Sequence, residues 1–113
     1  MVNIIIKPAT GTESGTAVAS GHAGKAPDMV CAAVTTLMEA LAANLENCWD
    51  VKVSRRWEPG HMELRWTKTD RQGKGLRRAN DAAGFTYTAL RALSMAYPEA
   101  VRVTKEKPGF RRE

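Results

Sequence analysis

The sequence predicts an α+β fold with the element order β-β-α-β-β-α-β, in which two helices pack on one face of a mostly antiparallel sheet. Three observations predict it: short β-branched or alternating segments, two longer segments with apolar residues at helical spacing, and turn sequences between them. The chain has 113 residues, which suffices for one hydrophobic core and not for two ordinary domains. We expect one domain over residues 1–104 and a frayed basic tail over residues 105–113.

Two hairpins supply four of the five predicted strands. The β-branched run VNIII ends before a Lys-Pro pair, and TAVAS follows the turn sequence ATGTESG. DVKVSRRWE and HMELRWTK alternate on either side of Pro59-Gly60, which predicts a second hairpin. AVRVT, close to the end of the chain, is the fifth strand.

Two segments have the apolar spacing of helices. Asp28 is a suitable N-cap for the first. The apolar residues after it recur at steps of three or four: Val30, Val34, Leu37, Leu41 and Leu45. The second helix is predicted from about Asn80 to Tyr97, and the polar stretch TDRQGKGLRR before it is predicted to be a mobile connection.

Composition indicates a soluble globular protein, with 43% hydrophobic and 26% charged residues. No stretch approaches 18 consecutive apolar residues and the start lacks the pattern of a signal peptide, so we expect a cytoplasmic protein. Two cysteines are few for a disulfide framework, and reduced thiols are expected. The net charge of +5 allows weak binding to polyanions without identifying a partner.

The candidate chemistry lies in Cys31 and His22. Cys31 falls in the first turn of the predicted helix, where free backbone N–H groups and the helix dipole stabilise a thiolate. His22 follows a predicted strand end, and the loop between them is long enough to bring the two side chains together. Such a pair can form a Cys/His dyad for acyl transfer, in which helix N–H groups hold the oxyanion. The simpler alternative is that Cys31 is a small buried apolar residue.

A resemblance favours the dyad. Gly21-His22-Ala23, followed by DMVCAAVT from Asp28 to Thr35, resembles the signature of the ribosomal-processing cysteine protease family Prp. That signature is Gly-His-Ala, a short loop and Asp-Ile-Val-Cys-Ala-Ala-Val-Ser. The similarity extends more loosely along the whole chain, as far as YPEAVRV.

The resemblance implies that His22 and Cys31 are the catalytic pair of a cytoplasmic, homodimeric cysteine endopeptidase without metal or cofactor. It implies a protein substrate, the N-terminal extension of a large-subunit ribosomal protein. For phage-encoded relatives, it implies a capsid or scaffold protein. No membrane is implied, and nucleic acid is not an expected partner.

The chain departs from the family pattern beside the dyad. The loop between His22 and Asp28 is shorter, and Thr35 replaces the usual serine one turn after Cys31. Gly21 and Ala23 flank the histidine and are predicted supporting residues. Asp28 is most simply a helix cap, and Thr35 most simply a hydroxyl bonded to the helix backbone, although it shares a helical face with Cys31. These departures leave the substrate preference open.

The tryptophans allow two hypotheses. In the first, Trp57 or Trp66 borders an apolar groove near Cys31 that receives aromatic side chains of the substrate. In the second, the chain is a non-catalytic ribosome- or nucleic-acid-binding module, in which the tryptophans stack on bases and basic side chains contact phosphates. The basic residues are Arg55, Arg56, Arg65, Lys68, Arg71, Lys74, Arg77 and Arg78.

A zinc site is a further alternative, because His22, Cys31, Cys48 and His61 are suitable ligand types. Their spacing contains no C-x-x-C or H-x-x-x-H pair, which argues against it. We predict instead that no metal is bound, that His61 is a solvated turn residue and that Cys48 belongs to the core.

Overall fold

The structure is a computed structural model that describes residues 1–22, 28–48, 50–69 and 74–107. In these ranges five strands form an open sheet. They are β1 (Val2–Lys7), β2 (Gly15–Ser20), β3 (Val51–Glu58), β4 (His61–Lys68) and β5 (Val101–Lys105). Their order is β3-β4-β2-β1-β5, and only the β1–β5 pair is parallel. The predicted α+β class and strand order along the chain are confirmed.

Two helices cover one face of this sheet. They are α1 (Asp28–Glu46) and α2 (Lys74–Ala96), and the end of α2 lies beside the start of α1, with the Tyr97 hydroxyl 3.9 Å from Sδ of Met29. The residues that alternate inward along β1, β2 and β4 are buried under the helices: Val2, Ile4, Ile6, Ala17, Ala19, Leu64 and Trp66. The helices and this face of the sheet enclose the hydrophobic core.

Helix α1 is long and apolar enough to pass for a membrane span, with a mean hydropathy of 1.3 over Met29–Glu46. Its apolar stripe packs in the core, where Val30, Met38, Leu41 and Leu45 have no exposed surface. Packing of one helical face against a sheet is the behaviour of a core helix in a globular domain.

Helix α2 begins at Lys74, six residues before the predicted start at Asn80. The reason is a contact that the local sequence does not contain: the carboxylate of buried Asp50 accepts a hydrogen bond of 2.8 Å from the backbone N–H of Gly75. A carboxylate at this position satisfies a free N–H of the first turn and interacts favourably with the helix dipole. The segment from residue 74 to residue 79 is therefore helical, while residues 70–73 of the predicted connection lie outside the described ranges.

Asn80 ties α2 to the sheet at the same end of the molecule. Its Oδ1 accepts hydrogen bonds from the backbone N–H of Ala9 at 2.9 Å and from Nε1 of Trp66 at 3.0 Å. Its Nδ2 donates to the Ala9 carbonyl at 2.9 Å. The indole of Trp66 is thereby buried with its N–H satisfied.

The last strand extends beyond the predicted domain boundary. Lys105 belongs to β5, and the N–H of Glu106 donates to the carbonyl of Ile6 at 2.8 Å. The beginning of the predicted tail is thus bonded to the sheet, and residues 108–113 lie outside the described ranges.

Candidate active site

A cavity of about 160 Å³ opens at the end of the sheet where β2 ends, α1 begins and β3 turns into β4. Polar and apolar residues share its wall. The lining residues are Val2, Ala19, Gly21, His22, Cys31, Val34, Thr35, Glu58, Gly60, His61 and Met62. Residues of β1, β2, α1, β3 and β4 therefore meet around one concave surface.

Cys31 enters this cavity from the first turn of α1. Its thiol is free and exposed, which contradicts the alternative of a buried apolar residue. At this position the nearby backbone N–H groups have no partner within the helix, and the helix dipole favours negative charge. Thr35, one turn later, is also exposed and lines the same cavity.

His22 also lines this cavity, just after the end of β2. It follows Gly21, which adopts the left-handed conformation with φ of +99° that glycine tolerates best. The N–H of Gly21 donates to the carbonyl of Gly60 at 2.9 Å, which joins the end of β2 to the β3–β4 turn. The exposed imidazole of His22 lies against the backbone of Gly60. The strand end and the turn thus fix the side of the cavity on which the imidazole stands.

The structure brings four of the predicted site residues to this cavity: Gly21, His22, Cys31 and Thr35. Asp28 begins α1 as predicted, and its side chain is outside the description. Ala23 and the shortened loop, residues 23–27, also lie outside the described ranges. A thiol at a helix N-terminus and an imidazole that share one cavity are the groups that cysteine-dependent acyl transfer requires.

The family model for "Cysteine protease Prp" matches residues 1–102. The chain belongs to this family. Membership supports protease activity, and the family of cysteine proteases named by the sequence resemblance is confirmed.

Three solved structures share the fold of this chain. The chain is 16% identical to the essential ribosomal processing protease Prp from S. aureus in complex with a covalently linked product peptide, with a TM-score of 0.73 and coverage of 94% of this chain and 100% of that one. The same protease in complex with a substrate peptide gives 15% identity, a TM-score of 0.73 and the same coverage. SMU.848 from Streptococcus mutans is 23% identical, with a TM-score of 0.70 and 95% of each chain covered. Comparison with curated protein sequences gives no significant match.

Neither tryptophan lines the cavity of this Prp family member. Trp66 is fully buried at the other end of the sheet, because its place in β4 puts its side chain on the inward face. Trp57 is half-buried, its Nε1 donates to the carboxylate of Glu39 on α1, and Arg55 stacks 5.2 Å from its ring centre. The hypothesis that either indole borders this cavity is wrong for the described residues.

The position of His61 at this cavity was not predicted from the sequence. His61 is the first residue of β4 rather than a solvated turn residue, it is half-buried, and it lines the cavity with His22 and Cys31. Its Nε2 lies 3.2 Å from a carboxylate oxygen of Glu63. The alternation of the strand carries the signal, since residues 61 and 63 must share one face of the sheet.

The zinc alternative gains no support. Cys48 is buried in the core as predicted, and burial raises the pKa of its thiol. In the parts of the chain that the structure describes, no three His, Cys, Asp or Glu side chains are grouped to hold a metal ion.

Three arginines of the basic cluster are paired with acidic residues. Arg55 contacts Glu39 at 3.0 Å, and Arg65 lies 3.9 Å from Glu63. Arg56 is paired with Glu58. One of these two indoles is in the core and the other is bonded to a carboxylate, so neither Trp66 nor Trp57 is a free ring for base stacking.

Proposed function

We propose that this Prp family member is a cysteine endopeptidase in which Cys31 is the nucleophile and His22 the general base and acid. The observation that carries the proposal is the shared cavity, which is lined by both an exposed thiol of α1 and an exposed imidazole after β2. Family membership supports the same assignment.

In the first half of the reaction, His22 accepts the thiol proton of Cys31. The sulfur attacks the carbonyl carbon of the scissile peptide bond, so that a C–S bond forms and the carbonyl oxygen becomes an oxyanion. The oxyanion is placed to accept hydrogen bonds from backbone N–H groups of the first turn of α1. When the C–N bond breaks, the protonated His22 gives its proton to the leaving amine.

In the second half, water hydrolyses the acyl-enzyme. His22 removes a proton from the water as its oxygen attacks the thioester carbon. The C–S bond then breaks, the carboxyl product leaves, and Cys31 recovers its proton from His22. The chain supplies every group in this cycle, since the oxyanion is held by backbone N–H groups.

The cavity wall indicates which substrate side chain sits beside the scissile bond. Val2, Ala19, Val34 and Met62 form an apolar part of the wall. A cavity of about 150 Å³ is known to hold one benzene ring, so the volume of about 160 Å³ suits a single aromatic side chain.

The proposed substrate is the N-terminal extension of a large-subunit ribosomal protein. The S. aureus structures support this class, because that protease is described as a ribosomal processing protease and was solved with product and substrate peptides. A segment of a phage capsid or scaffold protein with an aromatic residue before the cut is the second class to test.

The test is cleavage of a panel of such N-terminal segments by the purified protein, followed by mass spectrometry. We expect one cut, directly after an aromatic residue, that disappears in both Cys31→Ser and His22→Ala. Cys48→Ala is the matched control, because it removes the other thiol and should cut at the same bond. Cleavage that survives Cys31→Ser would contradict the proposal.

The homodimer and the cytoplasmic location implied by the resemblance remain predictions. The helical layer exposes apolar side chains that a second copy would cover, namely Met29, Phe85 and Met95. Sedimentation equilibrium of the wild type and of Phe85→Lys measures this: a dimer that dissociates in the variant supports the prediction, and a wild-type monomer contradicts it.

A further inference from the structure

We propose that Gly60 is a positioning residue of the catalytic site, and that the β3–β4 turn holds the imidazole of His22 by direct backbone packing. This inference rests on the proposed function, because it concerns the orientation of the general base. It assigns a role in the reaction to a turn that carries no reactive group of its own.

The closeness of the contact is the first argument. A Cβ placed on Gly60 would lie 2.8 Å from Nε2 and 3.2 Å from Cε1 of His22. Carbon and nitrogen atoms that are not bonded are normally about 3.5–4.0 Å apart. Any side chain at position 60 therefore pushes the imidazole from its place, and the push acts on the reactive end of the ring.

The second argument is that a backbone hydrogen bond joins the turn to the end of β2. The N–H of Gly21 donates to the carbonyl of Gly60 at 2.9 Å, so the residue before His22 is fixed to the residue on which its ring rests. On the other side of Gly60, His61 is held to Glu63 on β4 at 3.2 Å. Gly21 and His61, the neighbours in sequence of His22 and Gly60, are thus both held by hydrogen bonds.

The third argument concerns what holds the ring of His22. In many cysteine and serine hydrolases a third side chain accepts a hydrogen bond from the imidazole and fixes its orientation. The contact that the structure describes for the His22 ring is the one with the backbone of Gly60. Packing against the Gly60 backbone supplies an orientation that a third side chain would otherwise give.

The backbone strain at Gly60 must be separated from its effect on His22, because glycine is also favoured there by the turn itself. The φ of +74° at Gly60 already favours glycine, so Gly60→Ala strains the backbone as well as displacing His22. Gly60→Asn relieves part of the strain, because asparagine tolerates positive φ better than other non-glycine residues, and it carries the same Cβ. Gly84→Ala is the matched control, since a Cβ at that helical glycine meets no atom within 4 Å.

The readout is the rate at which iodoacetamide alkylates Cys31 as a function of pH, with the modified residue located by mass spectrometry. This rate follows the thiolate population, which depends on the imidazole, and it does not require a known substrate. Other ionisable groups at the cavity are Glu58 and His61, with Arg56 and Glu63 bonded to them. These four groups are unchanged in every variant, so their titration is common to all profiles.

We expect the profiles of Gly60→Ala and Gly60→Asn to move toward that of His22→Ala, and kcat/KM to fall on the order of 10–100-fold. In the His22→Ala background the same substitutions should have no further effect, because their target is gone. Gly84→Ala should match the wild type.

Two results would overturn the inference. In one, both Gly60 variants lower Tm but keep the wild-type alkylation profile; in the other, their effect persists without His22. If His22→Ala itself leaves the profile unchanged, the dyad fails and the inference fails with it. A shift with His22→Ala but not with Gly60→Asn removes the positioning role alone.

Discussion

Polar side chains at the two ends of the sheet differ in their burial and in their hydrogen bonds. At the end that contains Asp50 and Asn80, each carboxylate or amide is at least partly buried and bonded to backbone or indole groups. At the other end, Cys31 and His22 are exposed and face a cavity. Both ends are built on the same strands, since β2 runs from its pairing with Trp66 to its pairing with His61.

This difference in burial predicts that one end of the sheet contributes mainly to stability and the other mainly to activity. A buried polar group whose hydrogen bonds are complete contributes to stability, and removing one partner leaves the others unsatisfied. An exposed reactive group contributes little to stability, and its substitution mainly changes chemistry. Substitutions at the Asp50–Asn80 end should therefore change the free energy of unfolding, and substitutions at the cavity should change turnover.

The largest effect is expected from Cys31→Ser. Loss of the nucleophile should lower kcat/KM by about a thousandfold or more, as for nucleophiles of other hydrolases. Tm should not change measurably, because the thiol is exposed. Steady-state cleavage and thermal unfolding of the same preparation measure both quantities. A large fall in Tm would show that the cavity end also supports the fold.

Asn80→Ala should lower stability and leave catalysis unchanged, the reverse of Cys31→Ser. It leaves the Trp66 indole N–H and both backbone groups of Ala9 without their partner. The free energy of unfolding should fall by about 3 kcal/mol, while kcat/KM of the folded enzyme is unchanged. Urea denaturation measures the loss, with Asn3→Ala as a control at an exposed asparagine of β1. Equal losses in the two variants would contradict the role of the Asn80 bonds.

Asp50→Ala should cost somewhat less, about 2 kcal/mol, because it removes the acceptor of one buried N–H at the start of α2. Hydrogen exchange at Gly75 and Leu76 should become faster than in the rest of α2. Asp81→Ala, an exposed aspartate on the same helix, provides the control. Unchanged exchange at the helix start would show that α2 does not depend on this carboxylate.

The smallest effect concerns Cys48 and alkaline pH. Burial raises the pKa of its thiol above that of the unfolded chain. As pH rises, the thiol therefore ionises first in the unfolded state. The contribution of Cys48 to the free energy of unfolding is fully present below about pH 8.5, the ordinary thiol pKa. It is lost as pH rises through the unfolded and then the folded pKa.

Cys48→Ala should reduce the loss of unfolding free energy at alkaline pH, because the ionising thiol is gone. The quantity to compare is the slope of unfolding free energy against pH, since the substitution also removes packing. Identical slopes in the variant and the wild type would contradict the contribution of Cys48.

Most of the fold was predictable because its signals are local. The hairpin at Pro59-Gly60 and the apolar stripe that follows Asp28 lie within short windows of sequence, and the structure has both elements where they were predicted. The start of α2 was not predictable in this way. It depends on Asp50, which is 25 residues from Gly75, and no periodicity in the helix itself indicates that contact.

In the site, too, residues with a local sequence signal were predicted and those that depend on contacts between distant segments were not. The Gly-His and Asp-Met-Val-Cys strings identified His22 and Cys31, and both line the cavity. One hypothesis had Trp57 or Trp66 bordering the groove, but strand alternation and the bond to Asn80 place Trp66 in the core. Gly60 and His61 were predicted only as turn residues, because their relation to His22 arises only when the β3–β4 turn packs beside the end of β2.

The most direct test of the central claim is to trap the acyl-enzyme. The protein is mixed with a cleavable N-terminal segment, quenched in acid within one turnover, digested and mapped by mass spectrometry. The account predicts an added mass equal to the amino-terminal fragment of the substrate, located on the peptide that contains Cys31 and absent in Cys31→Ser. Cleavage without any adduct on Cys31, continuing at the wild-type rate in Cys31→Ser, would contradict it.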